Sequence, residues 1–321
     1  MLYVIVNQAS RSGHGRSTWA RVEEELKREG IAYRAYQTRR AGHAQELARM
    51  ISNKDLEDIP ILVLGGDGTL NEIFNGLDHW EKVRLGVIPT GSGNDFCGGL
   101  KVSREPMDNL RQILQNVESG PEYYRRTDLG SVYAKGMEQE RYFGISAGIG
   151  MDAIVCYNVD HKRGLKKIMN SLGLGRLSYV LMTLYTLFSM KVFDMELEGV
   201  EEEGGKSRTK KKLSLQKVIF SAFMNMPVEG GGVPMAPKAS PFDGRLSVSM
   251  AFGIPRAITF FCLPLLVAGK QEKLRGFRML EYTALHVNTS LPVMLHTDGE
   301  ALGEFCEFTF RLHKGKLHLL N

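Results

Sequence analysis

The chain has 321 residues, of which 43% are hydrophobic and 24% charged, with a formal net charge of +5 and a pI near 8.9. This composition excludes global disorder and allows one large or two smaller folded domains, and the mild positive charge favours anionic partners without identifying them. The four cysteines, at positions 97, 156, 262 and 306, have no paired spacing, which argues for a reducing compartment and against a disulfide framework or zinc site.

Strands and helices alternate over the first 120 residues. The predicted strands are Leu2–Val6, Ile31–Gln37, Ile61–Leu64 and Arg84–Ile88, and apolar residues at helical spacing follow them at Trp19–Leu26, Ala44–Ile51, Leu70–Leu77 and Leu110–Val117. The alternation predicts βαβ units, and therefore an α/β domain on a parallel sheet. In such sheets ligands bind at the carboxyl ends of the strands.

Two glycine-rich loops follow neighbouring predicted strands: GGDGTLN (Gly65–Asn71) and PTGSGNDF (Pro89–Phe96). Glycine lets backbone approach a ligand closely, and the N–H groups at a helix start attract anions. Asp67 and Asp95 would repel an anion unless a cation lies between them, so the pattern favours a phosphate with Mg²⁺. The loop Asn7–Gly15 is a candidate third wall. A plain turn with Asp67 as helix N-cap remains the simpler alternative.

The pattern changes after about residue 122 to alternating, antiparallel-type strands. Two helices, Leu174–Met190 and Pro255–Gly269, interrupt them, and the charged run Glu201–Lys212 is typical of a solvated hairpin tip. We therefore predict a second, mostly β domain. Its strands are expected at Tyr123–Tyr133, Arg141–Ala147, Val192–Gly199, Leu213–Met226, Leu246–Phe252, Tyr282–Asn288, Pro292–His296 and Glu304–Leu312.

The motifs GGDGTLNE and PTGSGNDF resemble those of the diacylglycerol kinase catalytic domain of bacterial lipid kinases, a family grouped with the sphingosine and NAD kinases. Asn7–Gly15 resembles the opening loop of that family, with Gln8 where proline is usual. The resemblance continues in order through Asp128–Gly130, Gly148–Asp152, Asn225–Pro227, Gly230–Gly232, Pro237–Ala239, Asp243–Leu246 and Asp298–Glu300, and so covers nearly the whole chain.

The resemblance implies a role for each matching residue. Asp67, Asp95 and Asp128 would organise a catalytic Mg²⁺, and Glu300 would be the general base. Asp243, with the backbone carbonyls of Ser240 and Arg245, would hold a second Mg²⁺. Without the resemblance, Asp128, Asp243 and Glu300 are ordinary strand-end or turn acids. ATP would be held by Asn7, Gln8, Ala9, Ser10, Arg11, Thr38, Gly65, Gly66, Asp67, Gly68, Thr69, Leu70, Asn71 and Ser92.

The resemblance also implies the architecture. Residues 1–122, joined by the tail 304–321, would form a Rossmann-like α/β domain of the NAD kinase type, and residues 123–303 a β-sandwich domain carrying the lipid site and the base. The implied activity is an ATP-dependent lipid kinase, most simply converting diacylglycerol to phosphatidic acid. A NAD kinase-like phosphotransferase and a non-catalytic nucleotide- or lipid-binding regulator are the alternatives.

The expected partners are ATP and a lipid presented at a membrane surface, with no nucleic acid and with a homodimer left open. The N-terminus does not resemble a signal peptide and no apolar run is long enough to span a bilayer, so we expect a cytoplasmic protein at the inner face of the membrane. The basic stretch HKRGLKK (His161–Lys167), followed by apolar residues, is either a contact with anionic lipid or a solvated loop.

Overall fold

A computed structural model describes residues 1–119, 124–161, 186, 190–203, 206–209 and 212–321. Most of the predicted helix Leu174–Met190 and nearly all of the basic stretch 161–167 lie outside the described residues. Within the described part, no helix is long and apolar enough to cross a membrane.

The N-terminal part is built on parallel strands. They are β1 (Leu2–Val6), β2 (Tyr33–Gln37), β3 (Ile59–Gly65) and β4 (Val83–Pro89), in the spatial order β2-β1-β3-β4. The helices between and after them are α1 (His14–Arg28), α2 (His43–Ser52), α3 (Asp67–Phe74), α4 (Asp95–Gly99) and α5 (Pro106–Ser119).

Strands β1 and β3 are buried along their whole length because helices cover both faces of the sheet. Alternate side chains point to opposite faces. Ile5 and Val63 pack with Ile51 of α2, whereas Val4 and Leu62 pack with side chains of α1 and α5. This two-sided burial explains why these strands read as continuous apolar runs.

The second part is mainly antiparallel. Its strands are β5 (Arg125–Ala134), β6 (Arg141–Phe143), β7 (Ser146–Gly150), β8 (Phe193–Glu203), β9 (Lys206–Thr209), β10 (Leu213–Met224), β11 (Leu246–Phe252), β12 (Phe277–Tyr282), β13 (Ala284–Thr297) and β14 (Glu300–Leu319). Helix α6 (Met151–His161) follows β7, and α7 (Arg256–Val267) follows β11. Strands β8 and β9 pair in antiparallel fashion from Val200 with Thr209 to Glu203 with Lys206, within the charged run that was predicted as a hairpin tip. Residues 204–205 lie outside the described residues.

Strand β14 links the two parts. It pairs with β13 and β5 in antiparallel fashion, and near its end His318 and Leu319 pair in parallel with Arg84 and Leu85 of β4. The side chain of Leu319 is buried in the core formed under β3 and β4. The domain boundaries that we drew at 122 and 304 stay a prediction.

Several elements differ from those expected. Helices α4 and α6 were not predicted, and the single strand expected at Arg141–Ala147 is divided into β6 and β7. It divides because Asp298 accepts the N–H groups of Gly144, Ile145 and Ser146 at the break. Conversely, two expected strands form one long strand, β13, with an irregularity between Asn288 and Val293.

Candidate active site

The two glycine-rich loops contact each other through glycine. A Cβ on Gly66 would lie 2.8 Å from the Cα of Gly91, and one on Gly91 would lie 2.6 Å from the Cα of Gly66. A Cβ on Gly65 would clash with Thr69 at 2.6 Å. Gly66 and Gly91 therefore require glycine because the two loops pack closely on each other, and Gly65 requires it because Thr69 lies directly over it. Gly68 differs, since its Cβ would meet nothing within 4 Å and it lies open to the adjoining cavity.

Asp67 lies at the start of α3 and faces the second loop. Its carboxylate accepts the backbone N–H groups of Asp95 (3.1 Å) and Phe96 (3.2 Å). Burial raises the pKa of Asp67 to about 6; these two bonds oppose that rise, and the charges of Asp95 and Asp298 add to it. Asp95 is itself buried and accepts the N–H of Gly231 at 2.8 Å. Two carboxyl groups thus share one largely enclosed region.

A cavity of about 590 Å³ opens beside the start of α3. Nine residues predicted to hold ATP line it, namely Asn7, Ala9, Ser10, Thr38, Gly66, Asp67, Gly68, Thr69 and Ser92. The first loop is fastened to the other two: Asn7 Nδ2 donates to Thr69 Oγ1 at 3.0 Å, and the hydroxyls of Ser10 and Thr90 lie 2.8 Å apart. Loops from three strand ends therefore form one wall.

The cavity also includes residues that the sequence reasoning missed. Arg39 and Arg40 follow Thr38 directly and add positive charge to its edge. Glu72 accepts the N–H groups of Gly42 (2.9 Å) and Ala44 (3.0 Å), so a carboxylate of the chain already caps the start of α2. In the described part of the chain no side chain caps the start of α3, which leaves its N–H groups available to an anion.

The other residues predicted to hold ATP do not line this cavity. Gly65 ends β3 beneath Thr69, Leu70 is buried in the core, and Asn71 points towards the second part of the protein. Gln8 precedes the short 3₁₀ helix at Ser10–Gly13, and the side chain of Arg11 lies outside the described residues. The ATP contacts expected for these five residues stay a prediction.

The turn Asp298–Glu300 joins β13 to β14 and lies beside α3. Asp298 is partly buried, with φ of +47°, and its Oδ2 accepts from Asn71 Nδ2 and from the N–H of Gly144, each at 2.9 Å. Its Oδ1 accepts the N–H groups of Ile145 and Ser146. Four such bonds hold a residue in a backbone conformation that non-glycine residues rarely adopt. Asp298 therefore fixes the turn against the first part of the chain.

Glu300 projects from this turn and is exposed, with a bond to Arg141. The guanidinium Nη2 of Arg141 lies 3.3 Å from Glu300 Oε2 and 3.4 Å from Asn71 Oδ1. Arg141 is largely buried, and its Nε has no hydrogen-bond partner among the described residues. One cation thus connects α3 of the nucleotide-side cavity with the acid expected to be the base. Neither Arg141 nor Asp298 was assigned a role from the sequence.

Asp128 has a structural role in the fold. It is 1% exposed, and its two carboxylate oxygens accept the N–H groups of Gly244 and Gly315, each at 2.7 Å. These contacts make Asp128 a support for two turns. Its expected part in organising Mg²⁺ beside Asp67 has no contact in its favour and stays a prediction.

The predicted second metal turn is formed as a local structure. Asp243 Oδ1 accepts the N–H of Arg245 at 2.9 Å, and Gly244 has a positive φ of 76°. Burial raises the pKa of Asp243, and the charges of Glu281 and Asp128 raise it further. A cation at this turn would relieve that repulsion. The expected roles of Ser240, Asp243 and Arg245 as metal ligands stay a prediction.

A buried polar cluster supports the turn from the other side. His296 Nδ1 accepts the N–H of Gly299 at 3.2 Å, which leaves the ring proton on Nε2, 2.8 Å from Asp152 Oδ2. Burial raises the pKa of nearby Glu229 to about 8, and within the part of the chain that the structure describes its Oε2 has no hydrogen-bond partner. Gly148 lies under the pair, where a Cβ would be 2.1 Å from Asp152 Oδ2. This contact explains the glycine and the acid of the Gly148–Asp152 motif.

The residues around the cavity fit a magnesium nucleotide. Asp67 carries a raised pKa because it is buried beside other carboxylates, and a divalent cation would favour its charged form. The uncapped start of α3 and the nearby arginines would face the phosphates. The arrangement therefore suits phosphoryl-transfer chemistry, with the exposed Glu300 linked to α3 through Arg141 and Asn71.

Comparison with family models covers most of the chain. Residues 1–121 match the model described as the diacylglycerol kinase catalytic domain. Residues 145–321 match the model described as the YegS C-terminal NAD kinase beta sandwich-like domain.

Two relatives from one organism match over nearly their full lengths. YtlR, a candidate lipid kinase of Bacillus subtilis (strain 168), is 28% identical over 94% of this chain and 93% of its own length. A diacylglycerol kinase of the same organism is 26% identical over 97% of this chain and 94% of its own length.

Solved structures share the fold. A diacylglycerol kinase from Bacillus anthracis str. Sterne has a TM-score of 0.66 at 18% identity, covering 99% of this chain and 96% of its own. An NAD kinase from Archaeoglobus fulgidus in complex with ATP has a TM-score of 0.51 at 14% identity, covering 100% and 94%. The fold is therefore NAD kinase-like with a C-terminal β-sandwich-like domain.

Proposed function

The chain belongs to the bacterial diacylglycerol kinase and lipid kinase family, as its motifs indicated, and from that membership we propose that it is an ATP-dependent lipid kinase. The reaction would move the γ-phosphate of ATP to a lipid hydroxyl, making the enzyme a phosphotransferase with an alcohol acceptor. Diacylglycerol is the proposed acceptor, and phosphatidic acid the product.

One observation carries the proposal. Asn71 of the GGDGTLN motif donates to Asp298 of the Asp298–Glu300 turn at 2.9 Å, although 227 positions separate them in the chain. This bond brings the exposed carboxylate of Glu300 to the helix whose start lines the cavity. A donor pocket and a proton acceptor in such proximity suit transfer to a hydroxyl.

The first part of the chain would act as the Rossmann-like nucleotide-binding unit. The uncapped N–H groups at the start of α3 would bind phosphate oxygens, and Thr69 and Ser92 would add hydroxyl donors. Asp67 and Asp95 would hold Mg²⁺ directly or through water, and Asp243 would hold a second ion. When bound, Mg²⁺ would neutralise charge on the transferred phosphoryl group.

Glu300 would take the proton from the acceptor hydroxyl. Arg141 would hold that carboxylate in position, since its guanidinium is itself fixed against Asn71. Asp298 would keep the turn in register through bonds to β7 and α3. In this arrangement the chain positions the base and the nucleotide relative to each other, which phosphoryl transfer requires more than covalent help.

The decisive experiment offers two acceptors together. The purified protein is incubated with γ-labelled ATP, Mg²⁺, NAD and a total bacterial lipid extract, and labelled products are identified by mass spectrometry. We expect a phosphorylated glycerolipid. Labelled NADP alone would overturn the lipid proposal in favour of an NAD kinase, and Mg²⁺-dependent ATP binding without any transfer would indicate a non-catalytic protein.

Because the acceptor is a membrane lipid, we also propose peripheral association with the cytoplasmic face of the membrane.

A further inference from the structure

Helix α7 presents an apolar face to solvent. Ile258 is 53% exposed, Phe261 72%, Leu265 37% and Val267 65%. The first three recur at helical spacing and so share one face of the helix. The adjoining face is buried through Thr259, Cys262 and Leu266. A helix with apolar side chains on its outer face is unusual in a water-facing position, since large exposed patches mark interaction sites.

The chain returns alongside this helix with a basic segment. After Gly269 reverses the chain (φ of +67°), a Cβ on Gly276 would lie 2.4 Å from the side chain of Ile254, just before α7 begins. Residues 270–276 therefore run back from the end of α7 to its start. This segment, continued into β12, carries four exposed bases: Lys270, Lys273, Arg275 and Arg278.

The charges in this segment are unbalanced. Across the described residues, none of those four bases forms an ion pair. The one acid in the segment, Glu272, is paired with Lys238. The helix and segment are also firmly attached. Gln271 is fully buried and its Nε2 donates to the carbonyls of Pro234 (2.7 Å) and Met235 (3.0 Å). An apolar helix face is thus held in fixed position beside uncompensated positive charge.

We propose that the outer face of α7 and the basic segment 270–278 dock the protein on a bilayer containing anionic phospholipid. Apolar side chains of an interfacial helix enter the headgroup boundary, while neighbouring bases meet acidic headgroups. The charge complementarity favours this occupant over a protein partner. This docking rests on the proposed function in one respect: a lipid kinase needs to reach an acceptor that lies in the bilayer.

The binding test needs neither ATP nor turnover. Co-sedimentation of the protein is measured with phosphatidylcholine vesicles and with vesicles that contain about 30% phosphatidylglycerol, which gives the second set a negative surface charge. We expect the wild-type protein to bind the anionic vesicles, less so at high salt. Ile258→Ser with Phe261→Ser and Leu265→Ser should weaken binding by about tenfold or more, and neutralising Lys270, Lys273, Arg275 and Arg278 to Gln should remove the salt dependence.

A matched control keeps the result specific. Met50→Ser with Leu56→Ser removes two exposed apolar side chains from the first part of the chain and should leave vesicle binding unchanged. Because Trp19 and Trp80 are buried, Phe261→Trp provides a second measurement: its emission should shift to the blue on anionic vesicles. Circular dichroism and thermal melting establish that each variant is folded.

The outcomes separate this inference from the kinase proposal. Unchanged vesicle binding in both α7 and basic-segment variants, or a wild-type dimer that the α7 variant dissociates, would overturn docking while a positive lipid-kinase assay stands. Vesicle binding that depends on α7, in a protein without kinase activity, would uphold docking and overturn the kinase. With a short-chain, monomeric diacylglycerol as acceptor, we expect the α7 variants to retain the wild-type rate.

Discussion

The cavity at the start of α3 and the turn that carries Glu300 are built in different ways. The cavity is made of short loops at the ends of neighbouring parallel strands, and glycines allow these loops to touch. The turn is a single strand connection whose geometry is imposed by side-chain hydrogen bonds to distant segments, those of Asp298 above all. The cavity is thus formed largely by local chain chemistry, and the turn by contacts between distant segments.

This difference separates two kinds of sensitivity. Substitutions of residues that line the cavity are expected to change the affinity for nucleotide and metal, because those residues face the open space of the cavity. Changes beneath the turn are expected to affect the position of the base. Arg141 bonds to the Glu300 carboxylate, and Asp298 fixes the turn that carries Glu300 by accepting the N–H of Gly144. The variants below test whether the two sets of effects are separable.

Glu300→Gln gives the largest expected effect. Loss of a general base should lower kcat by about 10²- to 10⁴-fold. The affinity for ATP, measured by calorimetry, should change little, since Glu300 does not line the cavity. Glu304→Gln on the same strand, also exposed, is the control and should retain turnover. A Glu300→Gln enzyme with normal kcat would remove the proposed base.

Asp67→Asn tests the other side. Without this carboxylate the cation is held poorly, so turnover should fall by about 10²- to 10³-fold and should no longer saturate at low Mg²⁺. Titration of activity against Mg²⁺ measures both effects. Asp108→Asn, at an exposed acid of α5, should behave as wild type. If Asp67→Asn kept the wild-type Mg²⁺ dependence, the metal would have to be held elsewhere.

Asp298→Ala tests whether the turn depends on its buried carboxylate. The change leaves three backbone N–H groups and Asn71 Nδ2 without their acceptor, so the free energy of unfolding should fall by about 2–4 kcal/mol. Urea denaturation measures this loss. Folded Asp298→Ala should also lose turnover while binding ATP. Equal loss of ATP affinity would show that the two regions are not separable.

Arg141→Gln should have a smaller effect, lowering kcat by about tenfold with the KM for ATP nearly unchanged. The same substitution in the Glu300→Gln background should cost nothing further, because its effect acts through that carboxylate. Arg141→Lys should recover part of the rate. Lys135→Gln removes an exposed ion pair with Glu307 and provides the matched control. Additive losses in the double variant would argue against a positioning role.

The smallest expected effect is a pH dependence of metal binding. Asp67, with a pKa raised to about 6, is protonated below that pH in the metal-free protein, so the ion must displace a proton. The affinity for Mg²⁺ should fall by about tenfold between pH 7 and pH 5 and change little above pH 7. Without metal, the same shift lowers the free energy of unfolding as the pH rises from about 4 to 6, since the unfolded chain releases the proton first.

Asp67→Asn should remove both pH dependences, which calorimetry and urea denaturation at each pH would measure. Asp128→Asn, by contrast, should lower the free energy of unfolding by about 1–3 kcal/mol through its turns. A changed Mg²⁺ dependence in Asp128→Asn would restore the role first expected for it.

The sequence alone determined the parts that depend on local chemistry. Continuous apolar runs identified the buried strands β1 and β3, helical spacing identified α1, α2 and α5, and glycine-rich strand ends identified most of the cavity wall. The family resemblance, first indicated by motifs, is confirmed by the family models that match residues 1–121 and 145–321. These features are readable because side-chain period and turn chemistry are set within a few residues.

Only the tertiary structure decided what joins the two regions. The bonds from Asn71 to Asp298, from Arg141 to Glu300 and from Asp152 to His296 connect positions 227, 159 and 144 apart. It also divided β6 from β7, gave Asp128 its turns and turned an apolar face of α7 outwards. No local pattern specifies such partners, because they depend on strand register and on which buried group finds an acceptor after the chain has folded.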